Sequence, residues 1–301
     1  MLKCWETLPG YNNFVRDRCR SLQVEGWGSY VLKEKLKLIK LALKEWHQTH
    51  LQNLPARILN PKEKIATLDL KGELVTLCDD EIEELHGYSD ELYSLARINS
   101  SISWQQSRIQ WLREGDANSK FFHDMMSSRR RRNFIPLFFV NGVQIEGVQN
   151  VRNAVFSHFT SHFEKCHEQR PTMEGLIFRL FSGREGAVIT KPFSIEEVRA
   201  VVWECDNFKC PGHDGINFGF IKDFWDILKD DVMRFLSEFH RNGRLAKGIN
   251  SPFIALIPKI DSPQRLNDFR PISLVGSMYK ILAKVLACRL RSVIGSVVSD
   301  T

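Results

Sequence analysis

A helix-dominated α+β fold is predicted by three features of this 301-residue chain. Long apolar series recur at spacings of three and four, the period of one helix face. Two pairs of short apolar runs are each joined by turn-forming residues, which reads as β-hairpins set among the helices. The chain is also 43% hydrophobic and 26% charged, which suits one to three domains with their own cores.

Residues 1–25 form a short mixed segment whose apolar content is Trp5, Leu8, Tyr11, Phe14 and Val15. Residues 26–133 are a predicted helical connector. In it Leu32, Leu36, Ile39, Leu43 and Trp46 repeat as a heptad seam, with Lys33, Lys37, Lys40 and Lys44 standing off it. Asn53 to Pro61 interrupts the pattern, and Ile65, Leu68, Val75, Ile82, Leu85, Leu92 and Leu95 then resume it. Two long helices over 28–114, joined by a Pro-bearing turn, predict an antiparallel helical hairpin. It serves either as a spacer arm or as an ordinary helical subdomain, and its seam offers a route to self-association.

The strongest electrostatic signal lies at 104–133. Arg108, Arg113 and Lys120 lead into Arg129, Arg130, Arg131 and Arg132, interleaved with Trp104, Trp111, Phe121 and Phe122. Cations beside aromatic rings suit nucleic acid, since charge neutralises phosphates and rings stack on exposed bases. A solvated loop with core aromatics, or a nuclear localisation patch, uses the same run.

Residues 134–190 predict a small β-hairpin and a helix. Phe134–Val140 and Val143–Glu146 flank Asn141-Gly142, a turn pair that tolerates positive φ. Val148, Val151, Val155, Phe159 and Phe163 then mark a helix with a buried stripe. His158, His162 and Cys166 share one face of it, but four-residue spacing on a single helix brings no fourth ligand, so no metal is assigned.

Residues 191–301 begin with Ser194-Ile-Glu-Glu197, a capping box opening a helix through Val198, Val202 and Trp203. A loop with Lys209, Pro211, Gly212, Asp214 and Gly215 breaks it; such a loop either approaches a phosphate backbone or merely turns the chain. One helix is predicted over Phe220 to Arg241, ended by Asn242-Gly243. Two strands follow, Ile254–Lys259 and Phe269–Leu274, across the polar turn Asp261–Asp268. A last helix runs from Ser277 through Leu290, decorated by Lys280, Lys284, Arg289 and Arg291. Lys259 and Arg270 would stand near each other at the tip of the hairpin. They then either grip a triphosphate, as an ammonium and a guanidinium fork can, or Arg270 simply pairs with Asp268 or Asp261.

The formal net charge of +6 is mild, so the clustering of cations matters more than their number. Seven scattered cysteines without a C-x-x-C pair argue for a reducing compartment. No apolar run approaches the roughly 18–20 residues of a membrane span, and the N-terminus lacks a signal-peptide layout. A soluble, intracellular protein of nucleus or cytoplasm is expected.

Four blocks together resemble one family. These are Lys209-Cys-Pro-Gly-His-Asp-Gly-Ile216, Leu256-Ile-Pro-Lys259, Asp268-Phe-Arg-Pro-Ile-Ser-Leu274 running into Tyr279–Lys284, and upstream Trp111-Leu-Arg-Glu-Gly-Asp-Ala-Asn-Ser-Lys-Phe-Phe-His123. In order and spacing they resemble the connector and the start of the reverse transcriptase domain of LINE-type (non-LTR) retrotransposons, particularly plant ones. His213 departs from the family's usual proline. The resemblance implies that residues 1–25 follow an endonuclease domain, that 191–301 are the fingers of a right-hand polymerase, and that Lys259 and Arg270 hold the incoming nucleotide. It places the Lys209–Gly215 block near the template, and implies an RNA template and a DNA primer as partners. Magnesium is expected for the complete polymerase, held by an Asp on one strand and an aromatic-x-Asp-Asp turn. Neither Asp79-Asp80 nor Asp230-Asp231 has that context. No catalytic residue or cofactor is therefore assigned within the chain, which is expected to stop before the palm and to be inactive alone. RNA binding, or a helical interaction role, are the alternatives.

Overall fold

The computed structural model describes residues 1–107, 119–135, 137–140, 142–164, 179–207 and 209–298. The fold is α+β and helix-dominated, and among the described residues the strands form two separate two-stranded antiparallel sheets. The chain divides into two compact units, Met1–Val24 with Lys35–Ser128 and Glu25–Glu34 with Arg129–Thr301. Among the described residues no helix is long and apolar enough to cross a membrane.

In the first unit a short 3-10 turn and helix α1 (Tyr11–Ser21) pack on the latter part of α2 (Gly28–Leu51). The seam residues Leu36, Ile39, Leu43 and Trp46 are spent here, all at 6% exposure or less. Trp46 is the centre, with the rings of Trp5 and Tyr11 at 6.3 and 5.4 Å. The Trp5 indole N–H donates to His47 Nδ1 at 3.1 Å, and burial holds the His47 pKa below its ordinary value.

The described part of 28–114 holds three helices where two were expected: α2, α3 (Leu54–Leu74) and α4 (Asp79–Ser107). Pro55 falls in the first turn of α3, where a missing N–H costs nothing, so the stretch read as an interruption starts a helix. Asn53 makes the sharp turn before it at φ 52°. Pro61 lies inside α3, which forgoes one backbone bond there. The second break is at Val75, which is extended (φ −144°, ψ 142°). Asp79, Asp80 and Glu81 then supply the acidic first turn that suits the positive end of α4. The helical hairpin is thus α3 against α4, tied near its turn by Lys71 and Glu81.

The second unit opens with the expected hairpin. β1 (Leu137–Val140) and β2 (Val143–Glu146) form a hairpin in which Val140 pairs with Val143. Gly142 takes φ +82° in the turn; Asn141 lies outside the described residues. Helix α6 (Val148–Phe163) follows, but its stripe is not buried as expected. Only Phe159 is (7% exposed), whereas Val151 and Val155 are half-buried and Val148 and Phe163 are 68% and 66% exposed. Val155, Phe156, Phe159 and Phe163 instead line an open apolar cavity of about 610 Å³ shared with Ile254 and Leu256.

Helices α7 (Gly183–Thr190) and α8 (Ile195–Glu204) come next. The predicted single helix over 220–241 is two, α9 (Phe218–Asp223) and α10 (Trp225–Asn242). They break at Phe224, which leaves helical geometry (φ −112°, ψ 25°) while burying its ring to 1% exposure. Gly243 ends α10 in the left-handed region at φ +66°, as the Asn-Gly signal requires. Lys222 on α9 donates to the carbonyls of Trp203 and Cys205, placing a cation on the unsatisfied C-terminal end of α8.

Strands β3 (Phe253–Pro258) and β4 (Phe269–Leu274) form the second sheet, and α11 (Ser277–Val293) closes the unit. Ile281, Leu282 and Val285 of α11 are at most 3% exposed, beside Val198 and Val202 of α8 at 0%. Arg289, read from the sequence as surface decoration, is 4% exposed within this core.

Candidate nucleotide and nucleic-acid interface

The β3–β4 register fixes where the candidate nucleotide residues stand. Ile257 pairs with Arg270, and the ladder runs one step further, where Lys259 N–H donates to Asp268 O at 2.7 Å. Side chains of directly opposed residues share a face, and so do residues two apart on one strand. Lys259 and Arg270 therefore occupy one face as diagonal neighbours, roughly 7–8 Å apart. Both are exposed. Ile254 and Leu256, at alternate positions, turn to the opposite face and the α6 cavity. The hairpin thus has one cationic face at its tip and one apolar face.

The competing arrangement, in which Arg270 pairs with a loop carboxylate, does not occur among the described residues. Asp268 accepts instead from the backbone N–H groups of Arg265 (2.8 Å) and Gln264 (3.0 Å). Those bonds hold its pKa below the ordinary carboxylate value. The Lys259 ammonium donates to Asn267 O at 2.8 Å, which orients it and leaves its remaining donors for a ligand. Phe253 and Ile272 on the cationic face, and Leu286 on α11, are 60%, 44% and 37% exposed.

The Lys209–Gly215 block meets the start of α11. Lys209 is exposed, but Asp214 faces inward: its carboxylate accepts from Ser277 Oγ–H at 2.7 Å and from Ser277 N–H. Gly212 packs against the Val275–Gly276 peptide so closely that a β-carbon would overlap it. Gly215 turns the chain at φ +72°.

Arg129, Arg130, Arg131 and Arg132 are the exposed last turn of helix α5 (Ser119–Asn133), where cations favour the negative helix end. Of the arrangements the sequence allows, a solvated loop is therefore replaced by a helix end. Consecutive helical residues point about 100° apart, so the four ring the helix end and only Arg129 and Arg132 share a face. Of the aromatics grouped with them, Phe122 is buried at 5% exposure. Arg108, Trp111, Arg113 and most of the Trp111–His123 block lie outside the described residues, as does Cys166.

Among the described residues the paired carboxylates do not fit a two-metal centre. Asp79-Asp80 opens α4, and Asp230-Asp231 sits inside α10. Among the described residues no three His, Cys, Asp or Glu side chains gather to hold a metal. No metal-assisted step is derived from this chain.

Sequence reading missed Arg289 altogether. Its Nε and Nη2 donate to the two oxygens of Glu197 at 2.7 and 2.8 Å. Nη1 donates to Lys191 O (2.5 Å) and Ile189 O (3.1 Å), and Nη2 also to Pro192 O (3.0 Å). The guanidinium lies 4.4 Å from the Phe193 ring centre. Its signal was positional: Arg289 falls four residues after Val285 and four before Val293, on the apolar stripe.

No protein-family model matches the chain. Over 240 residues, 77% of its length, the chain is 29% identical to the "Transposon TX1 uncharacterized 149 kDa protein" of Xenopus laevis. The chain is thus a distant homologue of a transposon protein, and it spans 18% of that protein's length.

Proposed function

We propose that this chain is the connector and fingers part of a LINE-type retrotransposon reverse transcriptase, an RNA-directed DNA polymerase whose fingers hold the incoming nucleoside triphosphate. The transposon homologue supports the origin, and the four ordered sequence blocks support the family. The observation that carries the reading is the pairing of Lys259 and Arg270 on one exposed face, with neither carboxylate of the loop drawn to Arg270. Phosphoryl transfer asks the protein chiefly to position reactants and neutralise charge, and a guanidinium fork beside an ammonium does that for a triphosphate. The 301 residues contribute substrate contact and not the metal-dependent step, so no polymerase activity is expected of this chain by itself.

Titration of the intact chain with a fluorescent deoxynucleoside triphosphate tests the reading. Loss of one charge-assisted contact costs about 1.5–3 kcal/mol, so Arg270→Ala is expected to weaken affinity about 10- to 100-fold. Lys259→Ala, removing a point charge alone, is expected to weaken it less. Equal affinity in all three proteins would overturn the assignment.

RNA template contact through α5 is read by salt dependence. Neutralising one single-strand phosphate contributes about 0.7 to the slope of log affinity against log salt. Because only two of the four arginines share a face, replacing Arg129 to Arg132 with alanine is expected to flatten the slope by about 1.4. An unchanged slope would remove these residues from the interface.

A further inference from the structure

We propose that Asp214 is a positioning residue which, with Gly212, clasps the base of the β3–β4 hairpin and so fixes the posture of Lys259 and Arg270. The functional half of this inference rests on the nucleotide reading above, whereas the clasp itself does not. Helix α11 starts immediately after β4, and its N-cap is Gly276, which has no side chain to satisfy the first-turn N–H groups. Asp214, 63 positions earlier in sequence, supplies the missing acceptor: Oδ2 takes both the N–H and the Oγ–H of Ser277. Oδ1 accepts from Ile216 N–H at 3.4 Å, which shapes the loop itself. The negative charge also lies at the positive end of the helix.

The same loop makes three further contacts, one each with β3, the β4–α11 link and α11. Gly212 lies flat on the Val275–Gly276 peptide, a contact open only to a residue without a β-carbon. The His213 ring meets Phe253 edge-on, centres 6.2 Å apart. Lys280 on α11 donates back to Cys210 O at 3.2 Å. Phe253 opens β3 and pairs with Leu274, which ends β4, so both strands are gripped where they leave the body of the unit. Ile257, opposite Arg270, is four residues further out, roughly 13 Å at 3.3 Å per residue. A small rotation at the base is magnified at the tip. Asp214 acts through the hairpin and touches no substrate.

The intact chain and its Asp214→Ala and Asp214→Asn variants test this by amide hydrogen exchange, with triphosphate and RNA affinities measured alongside. Asp214→Ala is expected to speed exchange at least tenfold across β4 and the first turn of α11, leaving α8 and α10 unchanged. Triphosphate affinity falls several-fold and RNA affinity does not move. Asp214→Asn restores both, because an asparagine oxygen still caps a helix. Unaltered exchange in Asp214→Ala would overturn the clasp, and a simultaneous fall in RNA affinity would show that the loop touches nucleic acid instead. A wild-type chain that takes up no triphosphate defeats the nucleotide reading alone, and exchange then decides the clasp. If α8 and α10 also exchange faster, Ser277→Ala replaces the test; it removes one of the two donors, and faster exchange confined to β4 and α11 supports the clasp, while none refutes it.

Discussion

Replacing Arg289 with alanine is expected to lower the stability of the second unit by about 3 kcal/mol, the low end of the cost of breaking a buried ion pair from one side, since the Glu197 side chain stays 21% exposed. Its five N–H donors are all engaged, two on Glu197 and the others on three carbonyls at the end of α7 and the start of α8. No smaller side chain reaches them. Truncation leaves the Glu197 carboxylate facing a cavity and the carbonyls of Ile189, Lys191 and Pro192 without that donor. Arg289→Lys keeps the charge but not the fork, and is expected to recover only part of the loss.

The same pair sets an acid dependence. The Arg289 hydrogen bonds, ahead of any other cause, hold the Glu197 pKa below its ordinary 4.5. A carboxylate with a depressed folded pKa contributes stability that is complete above its unfolded value and is lost as pH falls through the folded one. The wild-type chain should therefore lose stability below about pH 4.5 more steeply than Arg289→Ala. Urea midpoints between neutral pH and pH 3, followed by exchange in α8 and α11, check both the magnitude and the slope. Parallel pH profiles would show that the pair contributes nothing to folding.

Gly212→Ala is the second large effect. The added methyl would overlap the backbone of Val275 and Gly276, and backbone, unlike a flexible side-chain end, cannot rotate aside. Overpacking costs about 1–3 kcal/mol, and a backbone obstacle puts this substitution at the upper end, about 3 kcal/mol. Gly243→Ala is the internal control: nothing stands within 4 Å of where its β-carbon would lie, so its cost is that of placing that carbon at φ +66°, about 1–2 kcal/mol. Thermal melts of the two variants separate close approach from backbone handedness. Equal, small shifts would mean that the loop yields without resistance.

Much of the fold was legible because its signals are local. Asn242-Gly243 ends α10 through a left-handed glycine, Gly142 turns the first hairpin, and the apolar runs around Asp261–Asp268 pair as β3 and β4. The sequence puts Lys259 and Arg270 only near each other at the tip; their diagonal placement needs the register that sets Ile257 against Arg270. Other features escaped because their causes lie outside any short window. Pro55 looks like a breaker until a helix is known to begin there. Phe224 reads as one more apolar position on a continuous helix, although burying its ring coincides with a break. Arg289 reads from sequence as decoration of the last helix, and Asp214 as part of a loop that either approaches a phosphate backbone or turns the chain. Their partners stand 92 and 63 positions away in sequence, and no periodicity reveals such a distance. A cation on an apolar stripe and a helix capped by a bare glycine were the two traces left in the sequence.

The claim at the centre of this account is that the tip of the β3–β4 hairpin receives a triphosphate. Its most direct test is photo-crosslinking of the intact chain with a nucleoside triphosphate carrying an aryl azide on its γ-phosphate, followed by peptide mapping. Label confined to residues 253–274, displaced by unmodified deoxynucleoside triphosphate and lost in Arg270→Ala, is the expected result. Label that falls elsewhere, or that resists displacement, would contradict the account.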